Sequence, residues 1–131
     1  MVKMRHLRSR LIGILQDPHT TFLPDEEAAF LARVQLSNGS KYDDFHERMA
    51  EQGFSQTIKS ISGETKQLPD ATYFISGLPD KTRAEVVFDR AKKAVEKHKK
   101  LSDQINIQEH IIVVKASDAW FDLEDYEEKP D

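Results

Sequence analysis

The chain has no cysteine, which excludes a disulfide framework, a thiolate metal site and thiol catalysis. Only five of its 131 residues are glycine, too few for a Gly-rich phosphate cradle. Leu11-Ile12-Gly13-Ile14-Leu15 follows a basic start but is too short for the apolar core of a secretory signal. No stretch approaches the length of a bilayer-spanning helix. These absences lead to the expectation of a cytoplasmic protein without membrane partners. Zincin helix, Walker loop and Ser-Gly elbow are missing as well. The histidines at 6, 19, 46, 98 and 110 show no ligand spacing. Neither a metal nor another cofactor is therefore expected.

An excess of positive charge is also lacking. Lys and Arg number 19 against 23 Asp and Glu, a net charge of −4. That balance argues against a protein that coats phosphates generically. The charge is unevenly spread, however. Residues 1–24 carry Lys3, Arg5, Arg8 and Arg10 against Asp17, and residues 116–131 carry Lys129 against seven carboxylates. A basic arm, a nearly neutral middle and an acidic end result. The division expected is a helical extension over 1–24, a domain over 25–123 and an acidic tail over 124–131.

What is present reads as strand, helix, strand, strand, helix, strand. In the extension, Leu7, Leu11, Ile14 and Leu15 make one helical stripe over 3–16. Such a helix either docks on the domain or serves as a basic arm. Phe30, Ala32, Val34 and Leu36 alternate with Arg33 and Gln35, the pattern of a half-buried strand. Asn38-Gly39 turns the chain, and Ser40 caps a helix whose stripe is Tyr42, Phe45, Met49 and Ala50. Gly53 with Phe54 marks its end. Phe54–Ile61 reads as a weaker strand, because Ile58 and Ile61 stand three apart and break the alternation. Thr72–Ser76 is a short aromatic strand in which Tyr73 and Phe74 must point opposite ways. Thr82-Arg83-Ala84-Glu85 has the form of a capping box before a long helix carrying Ala84, Val87, Phe88, Ala91, Ala94, Val95 and Leu101 at helical spacing. His110–Lys115 reads as the last strand, and its continuous apolar run Ile111–Val114 suggests a strand that is central or at a subunit interface. Ser117-Asp118 is placed to cap a short final helix with Trp120, Phe121 and Leu123. The expected fold is α+β, a ferredoxin-like βαββαβ sandwich: a four-stranded antiparallel sheet with two helices on one face.

RNA is one natural ligand of such a sheet, but Thr72–Ser76 does not match the aromatic pattern of an RNA-recognition motif. The run of Arg90, Lys92, Lys93, Lys97, Lys99 and Lys100 reads as a solvated helix face, with phosphate binding the alternative. His46 lies one position past the apolar stripe of the first helix. An imidazole takes and returns a proton near neutrality. Metal-free RNA cleavage uses the 2′-hydroxyl as nucleophile, and needs a proton acceptor, a donor and positive charge at the phosphate. His46 with Arg48, Arg33 or Lys66 has the chemistry for this. A merely structural or exposed histidine is the plainer alternative.

Residues 29–123 resemble the GhoS family, the endoribonuclease antitoxins of type V toxin–antitoxin systems. The resemblance rests on Phe45, Met49, Gly53-Phe54-Ser55, Gly63, Lys66-Gln67-Leu68, Tyr73-Phe74-Ile75 and Ser117-Asp118-Ala119-Trp120-Phe121. It implies a ferredoxin-like protein that cleaves the messenger RNA of a small membrane toxin. Its first helix has an arginine where this chain has His46. Nucleases of related fold hold a metal with an acidic residue at the tip of the first strand, where this chain has Ser37-Asn38. The combined expectation is a metal-independent endoribonuclease antitoxin acting as a homodimer. Arg33, Lys66 and Tyr73 would hold RNA, and His46 and Arg48 would assist cleavage. The competing expectation is a non-catalytic ferredoxin-like regulatory module acting by protein or RNA binding.

Overall fold

In the computed structural model the residues described are 17–37, 42–102 and 106–127. The expected helix over 3–16 lies outside them. The alternating segment forms β1 (Glu27–Leu36), with Phe30, Ala32 and Val34 fully buried and Arg33 and Gln35 exposed. Its neighbours in one antiparallel sheet are β4 (Thr72–Pro79) and β5 (Glu109–Ala116), in the order β4-β1-β5. The β1–β5 register runs unbroken from Ala29 opposite Ala116 to Leu36 opposite Glu109. The β1–β4 register shifts once, between Ala28 and Phe30.

Two helices cover one side of this sheet. Helix α1 (Tyr42–Glu51) buries Phe45 and Met49, and α2 (Ala84–Ser102) buries Val87, Ala91, Ala94 and Val95. These side chains share one cluster with the inward residues of β1 and with Tyr73 and Ile75 of β4. Asp43 and Asp44 in the first turn of α1 and Lys99 and Lys100 in the last turn of α2 suit the helix dipoles. The end of α1 follows from its glycine. Gly53 has φ +93°, its N–H bonds to Ala50 O, and Phe54 N–H reaches back to Met49 O. That is the paired closure of a left-handed stop, with Phe54 folded into the core. None of the helices among the described residues is long and apolar enough to cross a membrane.

The architecture is therefore α+β with antiparallel sheets and two helices. It departs from expectation at two places. The expected second strand, Phe54–Ile61, does not join the main sheet as a strand. Ser55 makes one bridge to Phe74, with mutual N–H···O bonds of 2.7 and 2.8 Å. The chain then leaves to form β2 (Thr57–Lys59), which pairs with β3 (Thr65–Gln67) in a separate hairpin. The cause is local. Ser60 is buried, bonds through its Oγ to Ser62 and to the Glu64 N–H, and fixes a tight turn closed by Gly63 at φ +96°.

The expected C-terminal helix is not formed either. Residues 119–126 run extended to the hairpin, bridging Thr20 at Trp120 and Lys66 at Asp125. Backbone bonds Phe121 N–H to His19 O, Gln67 N–H to Glu124 O and Tyr126 N–H to Thr65 O hold this strap. Thr20 joins the layers, since its carbonyl also accepts from Ile61 N–H.

Candidate functional site

The side chains of His46 on α1 and Tyr73 on β4 meet. Tyr73 is inward on β4, opposite Ala32 of β1, and only 1% exposed. Edge-on contacts with Phe45 and Phe54 enclose its ring. Its hydroxyl lies 2.8 Å from His46 Nδ1, and His46 itself is half-buried. Burial, helped by Tyr42 and Asp70, pushes the Tyr73 hydroxyl well above the ordinary phenol range. Tyr73 therefore stays neutral and serves the imidazole as donor or acceptor, according to the tautomer. When His46 Nδ1–H donates to the phenol oxygen, Nε2 carries the lone pair that accepts a proton. The phenol then holds the ring in the orientation suited to a general base.

The other three candidates do not join this pair. Arg48 is two positions from His46, and residues so spaced on a helix face different ways. Its guanidinium bonds Glu51 at 2.9 Å and Glu47 at 3.1 Å. Arg33 is opposite Thr72 and Ile112, on the side of the sheet away from the helices. Lys66 is on the hairpin, 2.6 Å from Asp125 and 2.9 Å from Glu64. Bonds to those two carboxylates raise its pKa, so its charge is held but already shared. Tyr73 was expected to help hold RNA; 1% exposed, its ring is not open to a stacked base. Its neighbour Phe74 is on the open side instead.

Recesses lie on that open side among the described residues. A small one of about 190 Å³ is lined by Arg33, Gln35, His110 and Ile112. A larger groove of about 660 Å³ has Phe22, Ile61 and Phe74 as apolar walls with Lys59 and Ser76 among its rim. Sequence reasoning required Tyr73 and Phe74 to face apart, but could not say which faced outward. Phe22 gave no pattern signal at all.

His98 was also missed as more than one of five histidines. It is 2% exposed in α2, with its ring 5.3 Å from that of Phe45. Its Nε2 has no hydrogen-bond partner among the described residues. Desolvation lowers its pKa, opposed by Asp44 and assisted by Arg48. A group of three or more histidines or carboxylates able to hold a metal is not found among the described residues. Comparison of the chain with protein-family models, curated proteins and solved structures finds no match.

Proposed function

We propose that this chain is an antitoxin-like endoribonuclease that binds single-stranded messenger RNA of a small membrane toxin and cuts it without a metal. The observation that carries the reading is the His46–Tyr73 contact of 2.8 Å, a half-buried imidazole oriented by a buried phenol. The strand order supports a ferredoxin-like reading. The Ser55 bridge lies on the outer edge of β4, where the second strand of that fold would stand. In the proposed reaction His46 Nε2 takes the proton of a ribose 2′-hydroxyl. The 2′-oxygen forms a bond to phosphorus, the bond from phosphorus to the 5′-oxygen breaks, and the proton passes to that oxygen. Arg33 on the open side supplies a cation for the RNA backbone, and Tyr73 is a positioning residue.

The experiment is cleavage of a single-stranded RNA by nuclease-free protein. His46→Ala is expected to abolish cleavage with the fold retained. Tyr73→Phe is expected to lower kcat while leaving RNA affinity unchanged. Undiminished cleavage by His46→Ala overturns the catalytic assignment.

A second reading, a non-catalytic regulatory module, is favoured by a separate observation. Arg48 and Lys66 are each engaged by two carboxylates, and Arg33 stands on the opposite face from His46. RNA binding that is salt-dependent but without strand scission would support this reading, because phosphate contacts release counterions.

A further inference from the structure

The two edges of the main sheet differ. The outer edge of β4 is covered by the chain itself through Ser55. Among the described residues β5 pairs with β1 alone. Edge strands are usually blunted by proline, charge or a bulge. Here β5 reads Glu109-His110-Ile111-Ile112-Val113-Val114-Lys115-Ala116, with an unbroken register and no proline. Ile112 is 61% exposed and Val114 49%. We propose that this edge pairs with the same edge of a second copy, antiparallel about a two-fold axis passing through the Ile112 pair.

The register follows from the ladder. Alternate residues of an antiparallel strand turn both backbone groups to the same neighbour. Ser37 N–H bonds to Gln108 O, while Val34 N–H bonds to Ala71 O on the other side of β1. His110, Ile112, Val114 and Ala116 thus turn their backbone groups to β1. Glu109, Ile111, Val113 and Lys115 turn theirs outward. A two-fold perpendicular to the sheet keeps each side chain on its own face, so it pairs residues an even number apart.

With Ile112 opposite Ile112, Ile111 faces Val113, His110 faces Val114 and Glu109 faces Lys115. The outward groups of 111 and 113, and of 109 and 115, then form hydrogen-bonded pairs. Ile111 meets Val113, Ile112 meets its own copy, and His110 lies beside Val114; Glu109, held within the chain by Lys92 and Lys99, faces Lys115, which bonds Asp80 O, and like charges are never opposed. Shifting the axis to Val113 would instead set Ile111 against Lys115. An edge whose own sequence is complementary to itself in this register fits a second copy rather than an unrelated strand. The two open faces become continuous, with an Arg33 on each side of the seam. The pairing does not depend on the RNA reading.

Because the chain lacks cysteine, Ile112→Cys gives a single thiol for the test. Residues opposite in a non-hydrogen-bonded pair have Cα atoms about 4.5 Å apart, within the span a disulfide bridges. Oxidised Ile112→Cys is expected to run as a covalent dimer, and Val113→Cys is not. Light scattering of the wild type is expected to give twice the chain mass. Lys115→Pro removes an outward N–H that β1 does not use, so it is expected to leave the circular dichroism unchanged and give a monomer. A monomeric wild type overturns the edge pairing. Cross-linking of Val113→Cys in place of Ile112→Cys overturns the register.

Discussion

On the helix side of the sheet, Ala32 and Tyr73 face one another beneath Phe45. One residue further, on the other side, Arg33 and Thr72 face one another, and Arg33 is exposed. The first side is a closed layer in which the rings of Tyr42, Phe45, His46, Phe54, Tyr73 and His98 meet and the candidate acid–base group His46 is fixed. The second carries the accessible cation, the outward Phe74 and the apolar edge residues. The period of two in a strand makes neighbouring residues serve opposite sides. The difference teaches that two candidate residues legible in one sequence, His46 and Arg33, can be separated by the thickness of a sheet.

The largest effect that tests this contrast is on stability. Phe45 is fully buried and its ring meets those of Tyr42, Tyr73 and His98. Phe45→Ala is expected to cost about 3–5 kcal/mol in chemical denaturation, as lost transfer energy and a cavity. The same truncation on the exposed side, Phe22→Ala, removes a ring that is 67% exposed. It is expected to change stability by no more than about 0.5 kcal/mol. Equal losses would break the distinction between a closed and an open side.

Much of the helix side was legible because its signals are local. The alternation Phe30-Ala32-Val34-Leu36, the stripe of α2 and the Gly53-Phe54 stop each lie within a few residues, and each element appears where its pattern places it. The hairpin was not legible as such. Thr65–Gln67 has no alternation of apolar side chains and so carries no strand signal. The extended strap departs from the helix expected there for a different reason. Ser117-Asp118 before Trp120, Phe121 and Leu123 satisfies a helix pattern, but Thr20 and Lys66 supply backbone partners from far along the chain. Such pairings leave no local trace, and tertiary context overrides propensity. At the site, the residue types were readable but their partners were not: His46 is two positions from Arg48 in the sequence and faces a different neighbour in space.

An intermediate effect is expected from pH. His98 is buried between the helices, and desolvation holds its native pKa below the ordinary 6.5, with Asp44 opposing and Arg48 assisting. As pH falls, the unfolded chain takes up this proton first. The contribution of neutral His98 is therefore complete above about pH 6.5 and is lost as pH falls from there through the lower native pKa. Thermal midpoints of the wild type are expected to decline over that range, and those of His98→Leu to decline less. Parallel curves would assign the acid loss to the carboxylates instead, such as Glu109, whose pKa Lys92 and Lys99 lower.

The smallest change in stability belongs to the open side, where the effect should appear in binding. Arg33→Ala is expected to leave the denaturation midpoint nearly unchanged, as surface substitutions do. If its guanidinium meets a phosphate, the same substitution weakens RNA binding across sequences and reduces the salt slope by about one. Lys66 provides the control, because Asp125 and Glu64 already share its charge. A phosphate must displace those carboxylates before it gains the full ammonium, so Lys66→Ala is expected to reduce affinity less than Arg33→Ala. The opposite order would move the RNA path from the sheet to the hairpin, with the strap displaced from Lys66 on binding. Titrations at several salt concentrations distinguish the two paths, since only a contact made in the complex changes the slope.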